Sequence, residues 1–131
     1  MVQTTERTGV FKQCSLCGHR WADLADVVVD RDLKVTGYQA CFVSPEMGLV
    51  LMTHCVEDCG TTLALRVKAL RELYDGPQYT ELRAGQESCR EYCLQHNILE
   101  ECDVDCELAW MRSVLQYLRR HELPPHLRRR G

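Results

Sequence analysis

Eight of the nine cysteines fall into close pairs: Cys14 with Cys17, Cys55 with Cys59, Cys89 with Cys93, and Cys102 with Cys106. Cys41 stands alone and suits a hairpin core, as a small hydrophobe. The first residues, Met1 to Arg7, lack the apolar core of a secretion signal, so a cytoplasmic setting is expected. There thiols stay reduced, and paired cysteines bind metal more often than they form structural disulfides. An odd count also prevents complete internal pairing.

Cys14-x2-Cys17-Gly18 has the form of a metal knuckle. Two thiolates at this spacing grip one ion, and the glycine permits the tight turn that follows. A knuckle supplies half of a tetrahedral site. The other half is expected from Cys59 together with His54 or Cys55. Neighbours on a strand point to opposite faces, so only one of His54 and Cys55 should reach the ion.

Cys89-x3-Cys93 and Cys102-x3-Cys106 repeat one spacing. On helices, positions i and i+4 share a face, so two helices in a hairpin could converge four sulfurs. Zinc is the favoured occupant of this second set, with an iron–sulfur cluster as an alternative. A third fate is two disulfides, since this half resembles the twin-CX3C proteins of the mitochondrial intermembrane space. A fourth is a buried group of uncoordinated thiols. Five acids lie between Glu100 and Glu107, and a bound cation would relieve their repulsion of nearby thiolates.

These ligands need a scaffold. Val10 to Lys12 reads as a short strand, and Ala22 to Val29 as a short amphipathic helix, with a strand through Val27-Val28-Val29 as the alternative. Leu33 to Phe42 and Leu49 to Thr53 flank the turn signal Ser44-Pro45-Glu46-Met47-Gly48 and predict a β-hairpin. Leu63, Val67, Leu70 and Leu73 predict a helix capped by Thr61 or Thr62 and stopped by Asp75-Gly76-Pro77. Residues 78–86 read as a loop. Further helices are expected over Glu87 to His96 and Asp105 to Glu122, the latter ended by Pro124-Pro125.

The order knuckle, hairpin, helix with ligands at its start resembles a treble-clef zinc finger over residues 10–75, through Cys14, Cys17, Gly18 and Cys59. The expected architecture is α+β. Residues 1–9 form a disordered terminus, 10–77 a treble-clef-like metal-binding half, 78–123 a cysteine-rich helical hairpin packed on it, and 124–131 a basic tail. About two zinc ions would be held, one per half.

Composition is that of a globular domain: 45% hydrophobic and 27% charged. No apolar run reaches transmembrane length. Residues 1–118 carry 11 Lys+Arg against 18 Asp+Glu, whereas residues 119–131 carry five arginines and one glutamate. Arg128, Arg129 and Arg130 could contact an acidic partner, but overall acidity disfavours a nucleic-acid binder. Phosphate-loop, dinucleotide and metalloprotease motifs are absent. The four-ligand sets look complete, whereas a catalytic zinc keeps a position open. The expected function is a non-enzymatic zinc-binding module with a protein partner, for interaction or regulation. The alternative is a redox- or metal-responsive sensor, or an iron–sulfur protein, using Cys89, Cys93, Cys102 and Cys106. The apolar face of Leu108 to Leu118 suits a dimer as well as a core.

Overall fold

The computed structural model describes residues 10–76, 79, 81–83, 87, 89, 92–95, 97–102 and 106–128. The fold mixes α and β. Strands β1 (Lys12–Gln13) and β2 (Arg20–Trp21) form a small antiparallel hairpin. Helix α1 (Leu24–Val29) follows. Strands β3 (Leu33–Gln39), β4 (Leu49–His54) and β5 (Thr62–Arg66) make an antiparallel sheet in the order β3-β4-β5. Helix α2 (Ala109–Arg120) and the short α3 (Pro125–Arg128) come last.

Local chemistry explains α1. Asp23 accepts from the Asp26 N–H at 2.9 Å, and Asp26 accepts from the Ala22 N–H at 3.1 Å. This reciprocal pair satisfies donors that a helix start leaves open. Leu24, Val27 and Val28 then share the buried face. The Asp30 carboxylate closes the helix end, accepting from Trp21 Nε1–H at 2.8 Å and from the Asp32 N–H at 2.9 Å.

The hairpin of β3 and β4 forms as the alternation predicts. Its register slips between Val35 and Gly37, so Thr36 is an extra residue on β3. A one-residue insertion exchanges the faces of a strand. That exchange lets Leu33 and Tyr38, an odd number of positions apart, both bury in the core.

The helix expected after Thr62 is not there. Thr62 to Arg66 is strand β5, with Leu63 and Leu65 buried and their neighbours exposed. A 3-10 helix over Val67–Leu73 takes over. Leu63, Leu65 and Val67 have the period-two spacing of a strand. Val67, Leu70 and Leu73 have the period-three spacing that a 3-10 helix places on one face. The leucine pattern therefore satisfies two successive elements, not one α-helix. A treble clef requires a helix after its last ligands, so that expected arrangement is not found.

The cysteine-rich segment also departs from the expected helical hairpin. Of Glu87 to His96, the structure shows a 3-10 turn at Tyr92–Leu94, while Ser88, Arg90, Glu91 and His96 lie outside the described residues. The last long helix starts at Ala109, with no side-chain cap at Leu108, rather than at Asp105. It ends at His121, whose left-handed backbone (φ 58°) returns its N–H to the Tyr117 carbonyl. Trp110, Met111, Val114, Leu115 and Leu118 bury into the same core as Leu33, Tyr38 and Val50. The apolar face of α2 thus serves the core of its own chain. Among the described residues no helix is long and apolar enough to cross a membrane.

Candidate metal centre

Two turns face one another beside the sheet. In the first, the Gly18 N–H donates to the Cys14 carbonyl at 3.0 Å, and the Cys14 N–H donates to the His19 carbonyl at 2.8 Å. In the second, the Gly60 N–H donates to the His54 carbonyl at 2.8 Å, and the His54 N–H to the Thr61 carbonyl at 2.8 Å. Gly18 (φ 82°) and Gly60 (φ 87°) both occupy the left-handed region that glycine enters freely. Each directly follows the second donor of its turn, Cys17 or Cys59. The second turn is longer, and Asp58 (φ 67°) adds another left-handed residue to it.

These turns bring together Cys14, Cys17, His54 and Cys59, whose ligand atoms all lie within 4.8 Å of one another. Cys14 Sγ is 3.6 Å from Cys59 Sγ, and Cys17 Sγ is 3.4 Å from His54 Nδ1. A tetrahedral zinc with metal–sulfur bonds of about 2.3 Å separates its sulfurs by about 3.8 Å. The donor set therefore fits one tetrahedral ion of the soft or borderline kind that thiolate and imidazole select.

Strand alternation decides between His54 and Cys55. In β4 the buried row is Val50, Met52 and His54. His54 follows that row inward and is only 3% exposed. Cys55 is exposed outside the group, its thiol donating to the Thr53 carbonyl at 3.5 Å. Trp21 packs edge-on to the His54 ring at 5.1 Å and steadies its orientation. Cys14 is buried, Cys59 is partly buried and Cys17 is exposed, so the centre lies at the surface with one apolar wall.

No known family model matches the chain, and no characterised protein or solved structure matches it. What the centre does must follow from its own side chains.

The electrostatics favour an anionic donor. The Cys17 N–H, directed at the Cys14 sulfur, is the largest influence on that thiol. With smaller help from the Leu16 N–H, His54 and Cys59, it outweighs burial and lowers the Cys14 pKa to about 6. At Cys17 the His19 N–H acts in the same sense. Burial and the neighbouring Cys14 and Cys59 override it and push that thiol up. One thiolate thus forms readily and suppresses the next until a cation arrives.

The second cysteine set is arranged differently. Among the described residues, the Cys14–Cys59 group alone brings three or more candidate donors within 4.8 Å. Cys89, Cys93 and Cys102 are half-buried and Cys106 is buried. Cys106 Sγ accepts from the Arg83 N–H at 3.2 Å. Burial raises the Cys93 thiol, while the Arg112 guanidinium beside it pulls the other way. Arg112 is itself fully buried, donates Nη1–H to the Ile98 carbonyl, and lies 5.3 Å from the Tyr38 ring. Sequence reasoning missed this cation, because nothing in a helix pattern marks one arginine as inward. It also passed over Gly60, although Cys59-Gly60 repeats the signal of Cys17-Gly18. In the basic tail, Arg128 is exposed at the end of α3, and Arg129 and Arg130 lie outside the described residues.

Proposed function

We propose that this is a small zinc-binding protein in which Cys14, Cys17, His54 and Cys59 hold one structural ion, and that it acts as a protein-interaction or regulatory module. The spacing of the four donors carries the reading. An ion there joins the β1–β2 turn to the β4–β5 turn, segments about forty residues apart. Binding of this kind contributes on the order of 10 kcal/mol to folding at neutral pH, which a chain this short can use. With all four positions filled by protein, no site is left for substrate, which supports a structural ion over a catalytic one.

The decisive experiment is elemental analysis of protein purified without added metal, followed by cobalt substitution. Zinc bound through these residues predicts cobalt spectra with thiolate charge-transfer bands and tetrahedral ligand-field bands. Cys59→Ser should remove both. Cobalt spectra unchanged in Cys59→Ser would exclude this centre.

A second reading concerns Cys89, Cys93, Cys102 and Cys106. The buried Arg112 beside Cys93 supports it, because a guanidinium in the interior compensates the charge of thiolates. In this reading these cysteines hold a second zinc ion or an iron–sulfur cluster, or form a redox- or metal-responsive sensor. Two ions per chain, with one lost in Cys102→Ser, is its signature.

A further inference from the structure

The open edge of β5 lies in a groove whose charge opposes that of the whole chain. Hydrogen bonds across the sheet fix which backbone groups face it. The Thr61 carbonyl accepts from the His54 N–H, and the Val67 N–H donates to the Gly48 carbonyl. Alternation then turns Leu63 and Leu65 toward β4, and the N–H and C=O groups of Thr62, Ala64 and Arg66 outward. Among the described residues no strand pairs with that edge. Its outward direction shows at Ala64, whose carbonyl accepts from Lys12 Nζ at 3.2 Å.

The groove beside this edge measures about 600 Å3 and is lined by Phe11 and Lys12 together with Ala64, Leu65 and Arg66 of β5 and residues of the 3-10 helix that follows. Four cations line it: Lys12, Arg66, Lys68 and Arg71. One acid, Glu46, opposes them and lies 3.7 Å from Arg71. The chain as a whole carries −3, so this concentration of positive charge is local. Arg71 also stacks over Trp110 at 4.8 Å, which holds it at the groove wall.

We infer that the β5 edge binds an extended acidic peptide segment of a partner protein, added as a fourth strand antiparallel or parallel to β5. The inference rests on the interaction-module reading and names its surface and partner chemistry. Backbone groups at an open edge provide binding that is indifferent to side chains, while flanking charges select them. A lysine at an edge ordinarily keeps stray strands away. Here Lys12 can do more. A strand entering the groove donates its own N–H to the Ala64 carbonyl, and the displaced ammonium then meets a carboxylate of the incoming strand. Carboxylates at alternate positions lie on one side of such a strand, within reach of Lys12 and Arg66. A neutral strand displaces the ammonium without that return. Single-stranded nucleic acid would meet the same charges but has no use for the row of backbone donors and acceptors, which is why peptide is favoured.

The test uses the full metal-loaded chain and an acetylated peptide of alternating glutamate and valine. The expected result is saturable binding, with amide shifts concentrated at residues 62–66. Lys12→Glu combined with Arg66→Glu should weaken it by about tenfold or more. Ala64→Pro removes an outward N–H, a change that an edge strand tolerates, and should weaken binding similarly. Should that variant fold poorly, N-methylating one edge of the peptide asks the same question without touching the protein. Binding that survives both Ala64→Pro and peptide N-methylation overturns strand addition, as does absence of binding. Tighter binding of oligothymidylate than of peptide at equal salt overturns the choice of partner. Metal content is measured on the same samples. Peptide binding lost with zinc retained sinks this proposal alone, and zinc absent with peptide bound sinks only the metal centre.

Discussion

Gly18 and Gly60 occupy equivalent places. Each follows a cysteine donor, each has a left-handed backbone, and each returns its N–H to the carbonyl of the first donor in its turn, Cys14 or His54. The two turns differ in length and in donor type, yet they present their side chains to one point.

The equivalence makes a quantitative prediction. An added Cβ meets no atom within 4 Å at either glycine. Replacement therefore costs only the left-handed backbone, about 1–2 kcal/mol for each alanine. Gly18→Ala and Gly60→Ala should weaken metal retention against a competing chelator by similar factors, and their effects should combine in the double variant. A large loss at one glycine and none at the other would show that the turns are not equivalent.

Donor identity gives a sharper contrast. His54→Ala should abolish stoichiometric metal binding, whereas Cys55→Ser should leave it intact, because strand alternation keeps Cys55 outside. Elemental analysis of the two purified variants decides the matter. Chelation of the native protein should produce the same loss of structure as His54→Ala, seen as a lower thermal midpoint.

Acidification should expose Cys14. In the metal-free protein its pKa is about 6, below the ordinary 9 of a cysteine. A folded value below the unfolded one stabilises the fold where the group is ionised. That contribution is complete above about pH 9 and disappears as pH falls through about 6. Ultraviolet thiolate absorbance of the metal-free chain should show a step near pH 6 that is missing in Cys14→Ser, and denaturant midpoints should fall across the same range. With metal bound, release should require still lower pH, because protons then compete with the ion.

Arg112 is the interior charge on which α2 depends. Arg112→Ala leaves a cavity and removes the donor to the Ile98 carbonyl. The expected cost is about 3–5 kcal/mol. Urea unfolding of metal-loaded protein measures it. A loss below about 1 kcal/mol would mean that the guanidinium is not held as the fold shows.

The β3 bulge is testable by deletion. Removing Thr36 leaves Leu33 and Tyr38 four positions apart, so simple alternation keeps both on the buried face opposite His54 and Val50 without a bulge. The expected outcome is a folded chain that keeps its strand content and the near-ultraviolet dichroism of the buried aromatics, and loss of that dichroism would show that Thr36 is not an extra residue in the pairing.

Local signals in the sequence were enough for several features. The glycine after Cys17 and the turn signal between β3 and β4 each act within a few residues, so their consequences could be read from neighbours. The four-donor group was legible for a similar reason: a knuckle states half of a site, and few residues could complete it. Other features depended on partners distant in the chain. Thr62 to Leu73 satisfies a helical pattern and also a strand followed by a 3-10 helix, and only β4, lying alongside to accept β5, selects the second. His54 and Cys55 are equal candidates until the register of β4 assigns one face to the core. Arg112 looks like any helical arginine until the packing of α2 on β3 buries it. Periodicity records which residues share a face. Which face is buried, and against what, is settled by pairing and packing between segments that the order of residues does not bring together.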